Sequence, residues 1–480
     1  MAAKLVAVAT VTLVANRKLS WDDRVATLLP DSSNQSDSVT GQRCTVEDLH
    51  SHRCGLSGLD QAVQGLHGEL TLETADIVRF ANALPVKYEL RTRWWYFNFG
   101  YSLVGRIIDM ATGGPWASYL ETKILKPLQM MRTTLSRAIH KTDSNIAKTY
   151  VVLTDGTPSE VRPIDIDGNC VNGAAGGVRS TVSDLLRWSH ALMRTSENPC
   201  IIDAEHDSSS PGHDYISIGV PSLSSSSDIF SSRTIVDPRA PGANNYGLGI
   251  VRQSTPAALG VISPNRDFSS PVIGLNSPSL RVFSHNGDFN GATASMYLLP
   301  DSVSAVVVLS NAKGLSDAAD WIVQDIIQSM FKLQPPIDVL AESCRCRDKY
   351  LRWFKETIQD PLEANRQSGP NNRQPNDYTG NFFMSACDSF ALELKANPEN
   401  PQTLLLVVNG RPSQTHVLSP YHFDTWEFVP GSYDSYIQKG YETYHSYIEF
   451  LLSFQRQADE TVCSLKWVLD GCEVFFTKKR

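Results

Sequence analysis

The chain has 480 residues, and its 43 lysine and arginine residues against 51 aspartate and glutamate residues give a net charge of −8. This acidic balance lacks the basic footprint of nucleic-acid binding, so we expect no DNA or RNA partner. With 41% hydrophobic and 20% charged residues, the composition is that of a globular protein and excludes global disorder. At roughly 100 to 200 residues per domain, the length predicts two to four domains.

The first predicted element is an apolar helix at the N-terminus. Residues 5–15 (LVAVATVTLVA) have the length of a signal-peptide core, but only Lys4 precedes them and no small-residue cleavage site follows. We therefore predict a buried helix. No stretch approaches 18 uninterrupted apolar residues, so the sequence predicts no membrane span.

Helices, a loop and a hairpin follow along the chain. Thr45 with Asp48, and Thr181 with Asp184, have the spacing of capping boxes that begin helices. Residues 205–245 are rich in serine, glycine and proline, which predicts a long insertion loop. The segments ATASMYLLP and AVVVLSN after residue 292 predict a hairpin of buried strands, and residues 316–333 predict a helix.

The last part of the chain changes to short strands. A charged helical stretch runs into RQSGPNNRQPND at 366–377, a composition typical of a linker. Beyond it, apolar runs such as TLLLVVNG and SLKWVLDG recur about every ten to twelve residues with turn residues between them. Regularly spaced short strands predict an antiparallel β-barrel or sandwich.

The nine cysteines show neither C-x-x-C spacing nor a dense framework. This pattern fits a reducing compartment without structural zinc, so we expect a cytoplasmic protein with no metal and no cofactor. An upstream targeting segment outside this sequence would change the predicted location.

Seven segments of the chain stand in an informative order. They are KLSWDDRVATLLPD (18–31), TVEDLHSHRCGLSGL (45–59), WYFNFGYSLVGRIIDMATG (95–113), ILKPLQMMRTTLS (124–136), GAAGGVRSTVSDLLRW (173–188), YGLGI (246–250) and SHNGDFNGATASMYLLPDSVSAVVVLSN (284–311). This ordered set resembles the serine β-lactamase-like family, which includes class C β-lactamases, penicillin-binding proteins and D-aminopeptidases. The resemblance spans residues 1 to about 332, and its specificity lies in the order of the segments.

The resemblance implies an α+β fold, a central antiparallel sheet flanked by helices, followed by a C-terminal antiparallel β-barrel. We expect a hydrolase domain over residues 1–335 that lacks the family's N-terminal strands, a helical linker over 336–376, and a lipocalin-like barrel domain over 377–480. Without the early strands, one edge of the central sheet would be exposed.

The family's chemistry uses Ser-x-x-Lys, Tyr-x-Asn and Lys/His-x-Gly motifs. Tyr96 and Asn98 match the second motif, which implies a proton-carrying tyrosine and an amide that binds substrate. His285 and Gly287 match the third in its His-x-Gly form: the imidazole would donate to a substrate carboxylate or carbonyl, and the glycine would let the ligand approach the backbone. This form favours peptidase- or esterase-like members over efficient β-lactam hydrolysis.

The first motif is incomplete. Lys4 stands where the family's lysine is expected, which places Met1 at the serine; an alignment anchored on KLSWDD places the serine just before Met1. We expect Lys4 to act as the base. Ser310 with Lys313, and Ser329 with Lys332, also match Ser-x-x-Lys, but neither is at a helix start.

These residues predict a serine hydrolase that cleaves an amide or ester bond in a small molecule or peptide through an acyl-enzyme. Two alternatives stay open at this point. One is an acyltransferase in secondary-metabolite biosynthesis, and the other is a catalytically inactive binding protein that lacks the serine. The sequence leaves the oligomeric state open.

Overall fold

The structure is a computed structural model that describes residues 2–30, 38–196, 227–367, 374–385 and 387–479. Five of its helices have 14 or 15 residues: α1 (Ala2–Ala15), α2 (Asn98–Thr112), α3 (Val182–Ser196), α4 (Ala318–Phe331) and α5 (Val339–Trp353). Shorter α-helices are Val25–Leu28, Ser38–Arg43, Val46–His50, Asp60–Val63, Ile77–Ala81, Trp116–Leu120, Ile139–Thr142, Gly173–Gly176, Ser227–Phe230, Asp360–Ala364 and Tyr433–Lys439. Single turns of 3₁₀- or π-helix are Leu66–Gly68, Thr74–Asp76, Glu121–Leu125, Pro264–Asp267, Pro300–Ser302, Phe354–Gln359, Pro375–Tyr378, Pro412–Gln414 and Tyr447–Phe450.

Helix α1 is enclosed by the rest of the domain. It is apolar on every face apart from Lys4 and two threonines, and residues 2–13 are all buried. A helix that is apolar all round is stable in water only when other elements surround it. Helix α2 and the Gly173–Gly176 turn pack against it. The predicted buried helix is therefore confirmed.

The central sheet has six antiparallel strands. They are β3 (Thr234–Ile235), β4 (Asn244–Tyr246), β5 (Val251–Ser254), β8 (Arg281–Phe289), β9 (Ala292–Leu299) and β10 (Ser304–Ser310). Their order in the sheet is β10, β9, β8, β5, β4, β3. Helix α4 packs on β9 and β10, and α3 also contacts β10. Within the described ranges no other strand pairs with β10, and Leu309 on it is exposed.

Two small sheets complete the first part of the chain. Strand β1 lies between antiparallel β2 and parallel β11, and β6 pairs with β7. Their bounds are β1 (Thr149–Val152), β2 (Pro158–Val161), β6 (Ala257–Ala258), β7 (Val272–Ile273) and β11 (Ala312–Lys313).

The C-terminal part is a closed barrel of eight antiparallel strands, in which β12 pairs with β19 to complete the ring. Aromatic side chains such as Phe382, Phe390, Trp426 and Trp467 are fully buried in it. The predicted fold class, an antiparallel sheet with helices and a C-terminal barrel, is confirmed. The strands are β12 (Gly380–Met384), β13 (Cys387–Ala396), β14 (Leu404–Val408), β15 (Thr415–His422), β16 (Thr425–Glu427), β17 (Leu451–Arg456), β18 (Val462–Leu469) and β19 (Cys472–Lys479).

The predicted insertion loop is only partly covered by the structure. Residues 205–226 lie outside the described residues. From Ser227 the chain forms a helical turn and then β3 and β4, so the loop prediction is wrong there, because pairing with β5 orders a segment that serine and proline content alone marks as irregular. Helices occupy much of 339–364, and the exact domain boundaries stay a prediction.

The barrel packs against the first part of the chain. The rings of Phe80 and Phe390 lie 5.9 Å apart, centroid to centroid. The Gln61 amide donates to the carbonyl of Thr443 at 2.8 Å, and the Asn409 amide donates to that of Thr71 at 2.8 Å. These contacts bring the segment after helix Tyr433–Lys439 to the cavity described next.

Candidate active site

Four predicted site residues line one cavity of about 600 Å³: Tyr96, Asn98, His285 and Gly287. On β8, strand β5 pairs with Arg281–Ser284 alone, while β9 pairs along the other edge as far as Phe289. Beyond Ser284 the edge of β8 that faces away from β9 has no strand partner among the described residues, and this half of the strand borders the cavity. The opposite wall comes from the linker helix and the barrel, through Tyr350, Trp353, Tyr436, Glu442 and His445.

A second cavity of about 760 Å³ lies beside the first. Gly287 and Phe289 line both cavities, and Ala2 lines only the larger one. Arg132, Asn145 and Asn311 belong to its other walls. The start of α1 therefore lies next to the strand that carries the His-x-Gly motif.

Lys4 is a buried amine on the first turn of α1. Its side chain is 1% exposed, and its Nζ has no hydrogen-bond partner among the described residues. Burial lowers the pKa of Lys4 well below its ordinary value, because the interior disfavours the charged form. A positive charge on Lys4 would also lower the pKa of His285, so the two groups are within electrostatic reach.

The two residues that flank Tyr96 in the chain both donate backbone N–H hydrogen bonds to His52. The N–H of Trp95 donates to the carbonyl of His52, and the N–H of Phe97 donates to Nδ1 of the same histidine, both at 3.0 Å. Tyr96 is 36% exposed, and the part of its surroundings that excludes water, with a contribution from the carboxylate of Asp60, raises the pKa of the phenol. The phenol therefore keeps its proton at neutral pH and is a donor rather than a phenolate base.

Asn98 is the first residue of α2 and contacts a carboxyl group. Its Nδ2 donates to Oδ2 of Asp60 at 3.1 Å, while Oδ1 of Asp60 is buried without a partner in the described chain. Burial raises the pKa of Asp60 to about 6, although the Asn98 bond opposes the shift. The predicted contact of the Asn98 amide with a substrate stays a prediction.

The ring of His285 makes two hydrogen bonds inside the protein. Its Nε2 lies 3.1 Å from the Tyr246 hydroxyl, and its Nδ1 contacts the carbonyl of Asn286. Burial, with Lys4 contributing, lowers the pKa of His285 well below its ordinary value. In this geometry neither nitrogen is free to donate to a substrate, so the predicted donation would require one of these bonds to open.

Gly287 keeps space open at the cavity wall. A Cβ placed there would meet only the Cβ of Ala294, at 3.8 Å, which is ordinary van der Waals contact. The protein itself therefore tolerates a side chain at this position. The close approach of a ligand to β8 at this glycine stays a prediction.

Three residues next to the predicted site residues, His52, Asp60 and Tyr246, belong to none of the catalytic motifs in the sequence and were not predicted. His52 and Tyr246 occur in two of the segments that carried the family resemblance, HRCGL and YGLGI. Their position in those segments was the available signal, whereas their contacts join residues far apart in the chain. In the described ranges, no cluster of three histidine, cysteine or acidic side chains could hold a metal ion.

Comparison with known proteins gives relatives of low identity. The chain is 25% identical over 364 residues to Unguisins hydrolase ungD of Aspergillus violaceofuscus, covering 72% of this chain and 58% of that protein. It is 22% identical over 376 residues to Unguisins hydrolase ungD' of Aspergillus campestris, covering 77% and 62%. The chain thus spans about six tenths of the length of these two relatives.

A solved structure shares the fold. The octameric penicillin-binding protein homologue from Pyrococcus abyssi superimposes with a TM-score of 0.50 at 17% identity, covering 99% of this chain and 86% of that one. None of the helices in the described part has the length and apolarity needed to cross a bilayer. The family model described as Beta-lactamase matches residues 2–328, which is more than half of the sequence and includes every residue of the cavity's β8 wall, and the chain therefore belongs to the beta-lactamase family.

Proposed function

We propose that the protein is a serine hydrolase that cleaves an amide or ester bond through an acyl-enzyme. The observation that carries the proposal is the buried amine of Lys4, which has no hydrogen-bond partner among the described residues and lies within electrostatic reach of His285, although it lines neither cavity. A buried lysine without a carboxylate partner is costly to the fold. Such a group is typical of a site that uses the neutral amine as a base.

The neutral amine would take the proton of a serine hydroxyl as that oxygen attacks the substrate carbonyl. The hydroxyl is a poor nucleophile until a base removes its proton, and a desolvated lysine has the lone pair to do so near neutral pH. The family's Ser-x-x-Lys motif has this serine three residues before the lysine, and in the sequence given that position relative to Lys4 is Met1. The carbon–oxygen bond of a tetrahedral intermediate then forms, and the proton stays on Lys4.

Tyr96 would deliver a proton to the leaving group. Its raised pKa keeps the O–H bond intact in the resting protein. When the tetrahedral intermediate collapses, the leaving amine or alcohol takes the phenolic proton, and the proton on Lys4 can restore the phenol. Backbone N–H groups along the open half of β8 would stabilise the oxyanion.

The relatives support water as the final acceptor. Both fungal relatives are named hydrolases. Attack by water on the acyl-enzyme releases the acid and regenerates the serine, whereas the acyltransferase alternative requires an amine or alcohol in the cavity. A binding protein without the serine would form no covalent intermediate.

Covalent labelling tests the proposal. The natural protein, with its N-terminus verified by intact mass, is incubated with a fluorophosphonate probe and the adduct is located by peptide mapping. We expect one adduct, on a serine adjoining the start of α1. Absence of an adduct, or an adduct confined to Ser310 or Ser329, would overturn the proposal.

A further inference from the structure

A chain of hydrogen bonds joins the two predicted motifs underneath the cavity. The ring of His52 lies 3.1 Å from the hydroxyl of Tyr246 through its Nε2, and the same hydroxyl lies 3.1 Å from Nε2 of His285. All three side chains are buried. His52 comes from the segment after helix Val46–His50, Tyr246 from β4 and His285 from β8, so the chain connects three separate elements.

Backbone groups at both ends fix the direction of this chain. The N–H of Phe97 can only donate, so Nδ1 of His52 must accept and its Nε2 must carry the hydrogen. At the other end the carbonyl of Asn286 can only accept, so Nδ1 of His285 must carry a hydrogen, and in the neutral ring its Nε2 then accepts. The Tyr246 hydroxyl accepts from His52 and donates to His285.

The same histidine holds Tyr96 on both sides. The two N–H groups that flank Tyr96, those of Trp95 and Phe97, both donate to His52. The ring of His52 also lies against the ring of Tyr96, with centroids 4.4 Å apart and an angle of 35° between the planes. A shift of His52 would therefore move Tyr96 directly.

The backbone of His52 has an unfavourable conformation that its surroundings maintain. Its φ is 57°, in the left-handed region that is unfavourable for a residue other than glycine. The preceding helix anchors the segment: Thr45 and Asp48 form its capping box, and Arg53 and Arg91 form ion pairs with Asp48 at 3.2 and 2.8 Å. Backbone strain of this kind persists where the surrounding structure over-determines it.

We propose that His52 and Tyr246 are positioning residues that hold Tyr96 and His285 as one unit and fix the two histidines as opposite neutral tautomers. Burial favours the neutral rings: it lowers the pKa of His52 to about 3, with His50 contributing, and it lowers the pKa of His285 well below its ordinary value. The expected effect on acylation rests on the proposed function, whereas the assignment of the two tautomers does not depend on it.

Nitrogen NMR of the full-length protein, labelled with ¹⁵N-histidine, tests the tautomers directly. Among the 11 histidines, the signals of interest are assigned from their loss in His52→Gln and His285→Gln. At pH 7 we expect the hydrogen on Nε2 in His52 and on Nδ1 in His285. The same tautomer in both rings, or a doubly protonated ring, would overturn the proposal.

Removing one hydroxyl tests the coupling, and the barrel offers a matched control. Tyr246→Phe keeps the ring but removes the donor to His285, so the His285 Nε2 signal should shift and probe acylation should slow by about ten- to hundredfold. Tyr441→Phe removes an equivalent bond, 2.8 Å long, to Nδ1 of His416. It should shift the His416 signal and leave both His285 and acylation unchanged.

Two outcomes separate this proposal from the proposed function. If the wild-type protein forms no acyl adduct but shows the opposite tautomers and the Tyr246→Phe shift, the catalytic proposal fails and the positioning proposal stands. If Tyr246→Phe leaves the His285 nitrogen signals unchanged, the positioning proposal fails whatever the acylation rate.

Discussion

Two buried lysines in this protein have opposite surroundings. Lys4, on the first turn of α1, has no hydrogen-bond partner among the described residues. Lys313, on β11 at the boundary with the barrel, donates to Asp288 at 2.8 Å and lies 4.0 Å from Glu442. Burial alone would lower the pKa of Lys313, but the two carboxylates outweigh it and raise the pKa, whereas nothing offsets burial at Lys4.

The difference separates a buried lysine that is paired with carboxylates from one that is not. Asp288 and Glu442 come from the sheet side and the barrel side, so the charged Lys313 links the two parts of the molecule across the cavity. Lys4 makes no such link within the described residues, and burial disfavours the charged form of its amine. The energetic cost of Lys4 is explained if the amine takes part in the chemistry.

Replacing Lys4 should give the largest effect. Lys4→Met removes the proposed base and fills similar space with an apolar side chain. We expect probe acylation to slow by about 10²- to 10⁴-fold, while the free energy of unfolding rises by about 1 to 3 kcal/mol. Acylation kinetics and urea unfolding measure both. A variant that is less stable than wild type, or that acylates equally fast, would contradict the assignment.

The same substitution at Lys313 should act in the opposite direction on stability. Lys313→Met leaves Asp288 in a half-buried position without its cation, so we expect the free energy of unfolding to fall by about 3 kcal/mol. Urea unfolding of the two methionine variants side by side is the measurement. Equal changes at the two positions would remove the distinction between them.

The Lys313 cluster should also make stability depend on pH. Burial raises the pKa of Glu442 from its ordinary 4.5 to about 7, opposed by Lys313 and assisted by Asp288. Between these two values the folded protein keeps a proton that the unfolded chain releases, so this group lowers stability as pH rises from 4.5 to 7.

Glu442→Gln should remove that decline. We expect the stability of the variant, relative to wild type, to increase by about 1 to 3 kcal/mol between pH 4.5 and 8. Urea unfolding across this range gives the difference curve. A difference that is flat with pH, or that falls as pH rises, would show that the carboxyl is not the titrating group.

The smallest effect is expected at Gly287, where the protein has room for a methyl group. Gly287→Ala should leave the free energy of unfolding within about 0.5 kcal/mol of wild type. Probe acylation should slow by about tenfold, because the added Cβ occupies space that the ligand needs. A loss of stability without a change in acylation would mean that the glycine serves the sheet instead.

Local sequence signals predicted much of the architecture. The hairpin after residue 292 is present as β9 and β10, and the helix predicted over 316–333 is present as α4. Thr45 and Asp48 form the predicted capping box, and the Asp184 N–H donates to Thr181. Each of these features depends on residues close together in the chain, and so a pattern of spacing suffices to predict it.

The candidate site was predicted only where a motif marks it. Tyr96, Asn98, His285 and Gly287 stand in recognisable motifs and line one cavity. The hydrogen bond between His52 and Tyr246 joins the segment after helix Val46–His50 to β4, across 194 positions of the chain. The wall supplied by Glu442 depends on how the barrel docks. Neither arrangement follows from spacing along the sequence.

A crystal structure of the natural protein after reaction with a penicillin-type probe would show whether a serine at the start of α1 forms an acyl-enzyme in the cavity of about 600 Å³. We expect an acyl group bonded to that serine and lying between Tyr96 and His285. Unmodified protein, or an acyl group seated in the larger cavity beside Arg132 and Asn311, would contradict this expectation.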